Sequence, residues 1–172
     1  MTKQPWKIYP ARPLTGLPAG LQQSLDRDFT LLKEALRGEG FKLFEFLGLE
    51  AQSPNATCED VTDFDLACVE ICDLLLAIRP CPADGVASEI AWKCARKEHV
   101  ILAVPRGVIV SRLMQGWPVR NPNFSYVMFD HILELVPVVR QHFAVRSDGP
   151  KVLPLGRLTL PSSMGRLVPV AT

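Results

Sequence analysis

The chain has no apolar run long enough to cross a bilayer. Its longest, Leu74 to Ile78 and Val100 to Val104, fall far short of the ~20 residues of a spanning helix. It has no basic block either. Lys and Arg number 19 against 18 Asp and Glu, a formal charge of +1, so binding to a nucleic-acid polymer is not expected. Cys58, Cys68, Cys72, Cys81 and Cys94 are odd in number and form no CxxC pair, which argues against a disulfide framework or a zinc site. No GxGxxG follows the first strand and no GxxxxGK[ST] occurs, which disfavours dinucleotide and P-loop sites. His99, His131 and His142 each lie near an element end, away from any nucleophile, so a Ser–His or Cys–His triad is not expected. The opening residues Met1 to Trp6 lack the apolar centre of a secretory signal. These absences lead to the expectation of a cytoplasmic protein with no membrane partner, no cofactor and no metal.

What is present reads as alternating strands and helices. Lys7 to Ala11 is a short strand. Leu21, Leu25, Phe29, Leu32 and Leu36 recur at helical spacing, and Gly38 with Gly40 closes that helix. Phe41 to Phe46 is a second strand. Thr57 and Asp60 form a capping-box pattern that opens a helix through about Cys72. On that helix Cys68 and Cys72 share a face and read as core thiols. Leu74 to Ile78 is an all-apolar third strand, buried on both sides. Ala87 to Lys97 is a helix, Val100 to Val104 a fourth strand and Ser111 to Gln115 a short helical piece. Tyr126 to Phe129 is a fifth strand. His131 to Phe143 is a last helix, which Pro137 is expected to kink or shorten. This alternation predicts a three-layer α/β domain, with a flavodoxin- or Rossmann-like five-stranded parallel sheet and helices on both faces. It spans residues 1–143. Residues 144–172 are rich in Pro and Gly and read as an extended arm.

The segment from Asp73 to Lys93 carries the chemistry. It reads as a buried strand, a tight loop (Arg79-Pro80-Cys81-Pro82-Ala83-Asp84-Gly85) and a helix whose first turn holds Glu89. Ligands of open parallel sheets bind beyond the carboxyl ends of the strands, so Glu89 stands where a substrate would lie. The competing reading is a glutamate that offsets the helix dipole. Asp73, at a helix-to-strand junction, reads as structural, and Trp92 as a helix-packing residue.

Ile8 to Gly16, the Asp65…Asp73 spacing before the buried strand, the Gly85…Glu89 turn and Val110 to Gly116 together resemble the nucleoside 2-deoxyribosyltransferase family. Their order is closest to its (deoxy)nucleoside 5'-monophosphate N-hydrolase branch. The resemblance covers roughly residues 7–143. It implies that Glu89 attacks the anomeric carbon, that Tyr9 positions sugar and nucleophile, and that Asp65 lies near base or sugar. It implies substrate contacts from Asp84, Gly85, Ser88, Ser111 and Met114, with Ser111 reaching the 5'-phosphate across a dimer interface. The chain departs from the family at three places: Arg12 stands for a usual Gly, Ala83 for a Ser and Ala87 for a Gly. Arg12 either supplies a charge-assisted phosphate contact or blocks the pocket.

Breaking an N-glycosidic bond builds positive charge on the sugar, which a carboxylate stabilises or captures, while the base leaves more easily when protonated. Glu89 and Asp65 supply such a pair. The resulting expectation is a dimer-based N-glycosidase that cleaves a nucleoside 5'-monophosphate. The alternatives are base exchange on nucleosides, and a nucleotide-binding regulatory module with weakened chemistry.

Overall fold

The computed structural model describes residues 5–14, 17–44 and 56–145. In chain order these form β1 (Lys7–Ala11), α1 (Ala19–Gly38), β2 (Lys42–Leu43), α2 (Cys58–Ile71), β3 (Leu74–Ile78), α3 (Asp84–Ala95), β4 (Val100–Pro105), α4 (Arg112–Gln115), α5 (Trp117–Arg120) and β5 (Phe124–Phe129). A 3-10 turn at Ile132–Glu134 then leads into α6 (Leu135–Ala144). The strands pair in parallel in the order β2-β1-β3-β4-β5. This is the flavodoxin-like order, with its reversal between β1 and β3; sheets of this kind bind ligands beyond the carboxyl ends of the strands that flank such a reversal.

Side-chain alternation divides the core in two. Leu74, Leu76 and Ile78 of β3 meet Leu25, Phe29, Leu32 and Leu36 of α1 and Leu135, Val139 and Phe143 on the α6 side. Leu75 and Ala77 face the other way, onto Phe64, Cys68 and Val69 of α2 and Val86, Ile90 and Cys94 of α3. All five residues of β3 are buried, as an all-apolar strand covered on both faces requires. The α1 stripe holds at Leu25, Phe29, Leu32 and Leu36, whereas Leu21 is exposed. Gly40, with φ +85°, makes the left-handed turn after the helix. Among the described residues no helix is long and apolar enough to cross a membrane.

Several boundaries differ from the sequence expectation. β2 is confined to Lys42–Leu43, with Phe41 and Phe44 outside it, and residues 45–46 of the expected strand lie outside the described residues. β5 begins at Phe124, two residues early, because its ladder with β4 starts at Val100 opposite Phe124. A helix at Trp117–Arg120 was not expected; Pro118 fits its first turn, where no intrahelical donor is needed. α6 starts at Leu135, after the 3-10 turn, so Pro137 is its third residue and removes no intrahelical hydrogen bond. α3 begins at Asp84, three residues before Ala87: the Ala87 amide already bonds the Ala83 carbonyl at 3.1 Å. Ala144 closes α6, and the expected arm from 146 onward lies outside the described residues.

Candidate active site

Tyr9 is the middle residue of β1 and points to the α2–α3 side of the sheet. α2 is started by the expected capping box: Thr57 Oγ1 accepts from the Asp60 amide at 3.1 Å, and Asp60 Oδ2 accepts from the Thr57 amide at 2.9 Å. Its inward side buries Phe64, Cys68 and Val69, and Asp65 lies one turn before Val69, at i and i+4. α3 buries Val86, Glu89, Ile90 and Lys93, again one helical stripe. Glu89 therefore occupies an inward position of an otherwise mostly apolar row. It lies in the second turn rather than the first, since the helix starts at Asp84. Asp84 is the acid of the first turn, so the dipole-offsetting role falls to it.

The three side chains meet. The Tyr9 hydroxyl hydrogen-bonds Asp65 Oδ1 and lies 3.3 Å from Glu89 Oε1. Glu89 is 6% exposed, and its Oε2 is buried with no hydrogen-bond partner. Burial, then the charge of Asp65 and a hydrogen bond with it, push the Glu89 carboxyl up from 4.5 to about 9, against a smaller opposing effect of the Tyr9 bond. Burial and the two neighbouring carboxylates likewise hold the Tyr9 phenol well above its ordinary value. A hydroxyl has one proton and donates to one acceptor at a time. With Tyr9 donating to Asp65, the contact to Glu89 is a hydrogen bond only if Glu89 carries a proton. At neutral pH Glu89 thus holds its proton. Cys68, beside Tyr9 in the core, is a neutral thiol pushed up to about 12 by burial.

The other expected site residues lie apart from this trio. Arg12 turns to the α1 side, where it pairs with Asp26 and stacks 4.7 Å over the Phe29 ring. Ser111 is the N-cap of α4, accepting from the Met114 amide at 3.4 Å, and Met114 is buried in the α2–α3 core. Ser88 Oγ donates to the Asp84 carbonyl at 2.9 Å. Asp84 and Gly85 form the exposed first turn of α3, and a Cβ at Gly85 would meet nothing within 4 Å. Asp73 is structural, as its junction position implied: its Oδ2 accepts from the Lys7 amide at 2.8 Å. His99 and His142 contact each other edge to face at 4.8 Å, beyond the amino end of β4. A groove of about 440 Å³ opens at the carboxyl end of the sheet, but on the α1 side, between Leu21, Leu25, Ile78, Phe129 and Ile132. Tyr9, Asp65 and Glu89 do not line it. Among the described residues no cluster of three or more His, Cys, Asp or Glu is placed to hold a metal ion.

Sequence reasoning missed Asp26 as the partner of Arg12, fourteen positions away on another element, and it missed the buried Lys93. That ammonium donates to the Cys72 carbonyl at 2.7 Å and to Glu98 at 2.6 Å. The Lys93…Glu98 spacing and the apolar neighbours of Lys93 were the available signals.

No family model matches the sequence, and no curated protein matches it. The fold is that of several solved structures. A CMP N-glycosidase, BcmB, from Clostridium botulinum superposes with a TM-score of 0.61 at 17% identity, over 79% of this chain and 98% of that one. A conserved protein from Enterococcus faecalis V583 gives 0.60 at 19% identity, over 80% and 99%. A 2-deoxyribosyltransferase from Bacillus psychrosaccharolyticus gives 0.54 at 21% identity, over 76% and 90%.

Proposed function

We propose that this protein is an N-glycosidase that cleaves the base–sugar bond of a nucleoside 5'-monophosphate with Glu89 as nucleophile. The observation that carries the reading is Glu89 itself: a buried carboxyl with one unpaired oxygen, joined through the Tyr9 hydroxyl to Asp65 on the α2–α3 side of the sheet. The likeness in fold to a CMP N-glycosidase supports it. The resident proton passes from Glu89 to the Tyr9 oxygen while Tyr9 gives its own proton to Asp65. The Glu89 carboxylate then bonds to C1', the C–N bond breaks, and Asp65 protonates the leaving base. Water, deprotonated by Asp65, attacks C1' of the glycosyl ester and frees the sugar phosphate and Glu89.

Incubation with common ribo- and deoxyribonucleoside monophosphates, followed by chromatography for free base, tests this. Wild type is expected to release base and Glu89→Gln to release none. Asp65→Asn is expected to lower kcat by roughly 10²–10⁴-fold, the range of a positioned general acid–base group. No release by wild type, or equal release by Glu89→Gln, would overturn the proposal.

One observation favours a second reading, base exchange on unphosphorylated nucleosides: Arg12, for which a phosphate contact was one of two expected roles, is occupied by Asp26. A mixed-base assay decides it. Product that appears only when an acceptor base is added supports exchange, and release that ignores the acceptor supports hydrolysis.

A further inference from the structure

Three strands end on an arginine at the carboxyl edge of the sheet: Arg12 after β1, Arg79 after β3 and Arg106 after β4. Two are neutralised. Arg12 pairs with Asp26, and Arg106 Nε lies 3.0 Å from both Asp130 oxygens. Arg79 has no carboxylate partner among the described residues, and its Nε is buried without any hydrogen-bond partner. An arginine is permanently charged, so a half-buried guanidinium left unpaired is costly unless a ligand completes it.

Its direction follows from the ladder. The Arg79 amide bonds the Ala103 carbonyl at 2.9 Å, so the strand geometry runs on through this residue. Leu75 and Ala77 face α2 and α3, whereas Ile78 and Pro80 line the groove on the α1 side. Alternation then puts Arg79 on the Glu89 side. Leu75 is the register partner of Tyr9. Arg79 is four residues further along, roughly 13 Å toward the carboxyl edge at about 3.3 Å per residue. That offset is of the order spanned by a sugar phosphate and an arginine side chain together. The first turn of α3, whose N-cap Ala83 makes no side-chain cap bond, adds free amides at the same edge.

We propose that Arg79 is the phosphate-recognising residue of this site, taking the role that the sequence suggested for Arg12. Its planar fork binds the 5'-phosphate of a nucleoside monophosphate whose anomeric carbon faces Glu89. The proposal rests on the glycosidic reading of Glu89. It separates this chain's phosphate contact from Ser111, which caps α4, and from Ala83, which has no hydroxyl to offer.

Calorimetry with ribose 5-phosphate and with ribose tests it on wild type, Arg79→Gln, Arg79→Lys and Arg12→Gln, each checked for a cooperative thermal transition. Wild type is expected to prefer ribose 5-phosphate. Arg79→Gln is expected to lose roughly 10- to 100-fold of that affinity, the scale of one charge-assisted hydrogen-bonded contact, and Arg79→Lys to recover part of it. Arg12→Gln is expected to lose far less. Failure of wild type to bind ribose 5-phosphate better than ribose overturns the proposal, as does equal binding by Arg79→Gln or a larger loss in Arg12→Gln. These readouts need no turnover. A wild type that binds the sugar phosphate through Arg79 yet releases no base refutes the glycosidase reading alone, whereas Glu89-dependent release that ignores Arg79 refutes this one alone.

Discussion

Glu89 couples the chemistry of the site to the stability of the fold. A carboxyl raised from 4.5 to about 9 by folding keeps a proton in the native state that the unfolded chain has already released. Between those two values unfolding frees a proton, so the contribution of Glu89 to stability falls as pH rises through that window and is level on either side. Glu89→Gln removes the ionisation and keeps the shape. Urea midpoints of the variant relative to wild type are therefore expected to rise steadily from about pH 4.5 to about pH 9. A difference that is flat or shrinks across that range would show that Glu89 is not held protonated. The same proton explains how a carboxyl tolerates an apolar stripe: it is buried as an acid, not as an anion.

At the scale of elements, the placement of each acid depends on where its helix starts. α2 starts at the Thr57–Asp60 box, and that start fixes which residues of the helix look inward, Asp65 among them. Thr57→Ala removes a cap whose loss costs about 1 kcal/mol. The expected result is a lower urea midpoint with an unchanged slope; an unchanged midpoint would show that the contacts of α2 with the sheet alone define its first turn. α3 has no side-chain cap. It starts early because Pro80 and Pro82 bring the chain out of β3 in an extended form, and Gly85, a poor residue for a helix interior, is tolerated in a first turn whose amides are unbonded anyway. The sequence read Asp84-Gly85 as a loop for the same reason.

At the scale of the molecule, the apolar surface is unevenly spread. Ile109, Leu113 and Val119, on the segment between β4 and β5, are 92%, 74% and 88% exposed. Tyr126 and Met128, on the edge strand β5, are also exposed. Exposed apolar side chains of this kind mark association sites, and Leu113 lies within the Ser111 to Gly116 segment on which the expected dimer rests. We propose a homodimer through these residues. Sedimentation of the full chain is expected to show two copies, and Leu113→Glu to shift it toward one; a wild-type monomer would refute the interface.

Most of the architecture was fixed by the sequence itself. The apolar row of α1, the period of α2, the five-residue apolar β3 and the alternation of strand and helix are statements about short windows, where local sterics and the spacing of apolar residues decide the outcome. Glu89 was also legible, because strand, turn and helix follow one another without interruption. The tertiary structure alone decided which polar groups meet. Tyr9 finds Asp65 across 56 positions and Glu89 across 80, while Arg12 is drawn to Asp26 on the opposite face of the sheet. No local pattern encodes those pairings. They arise because the pleat assigns each side chain to one face and the helices laid on that face supply its partners, and this same sorting leaves the guanidinium of Arg79 without one.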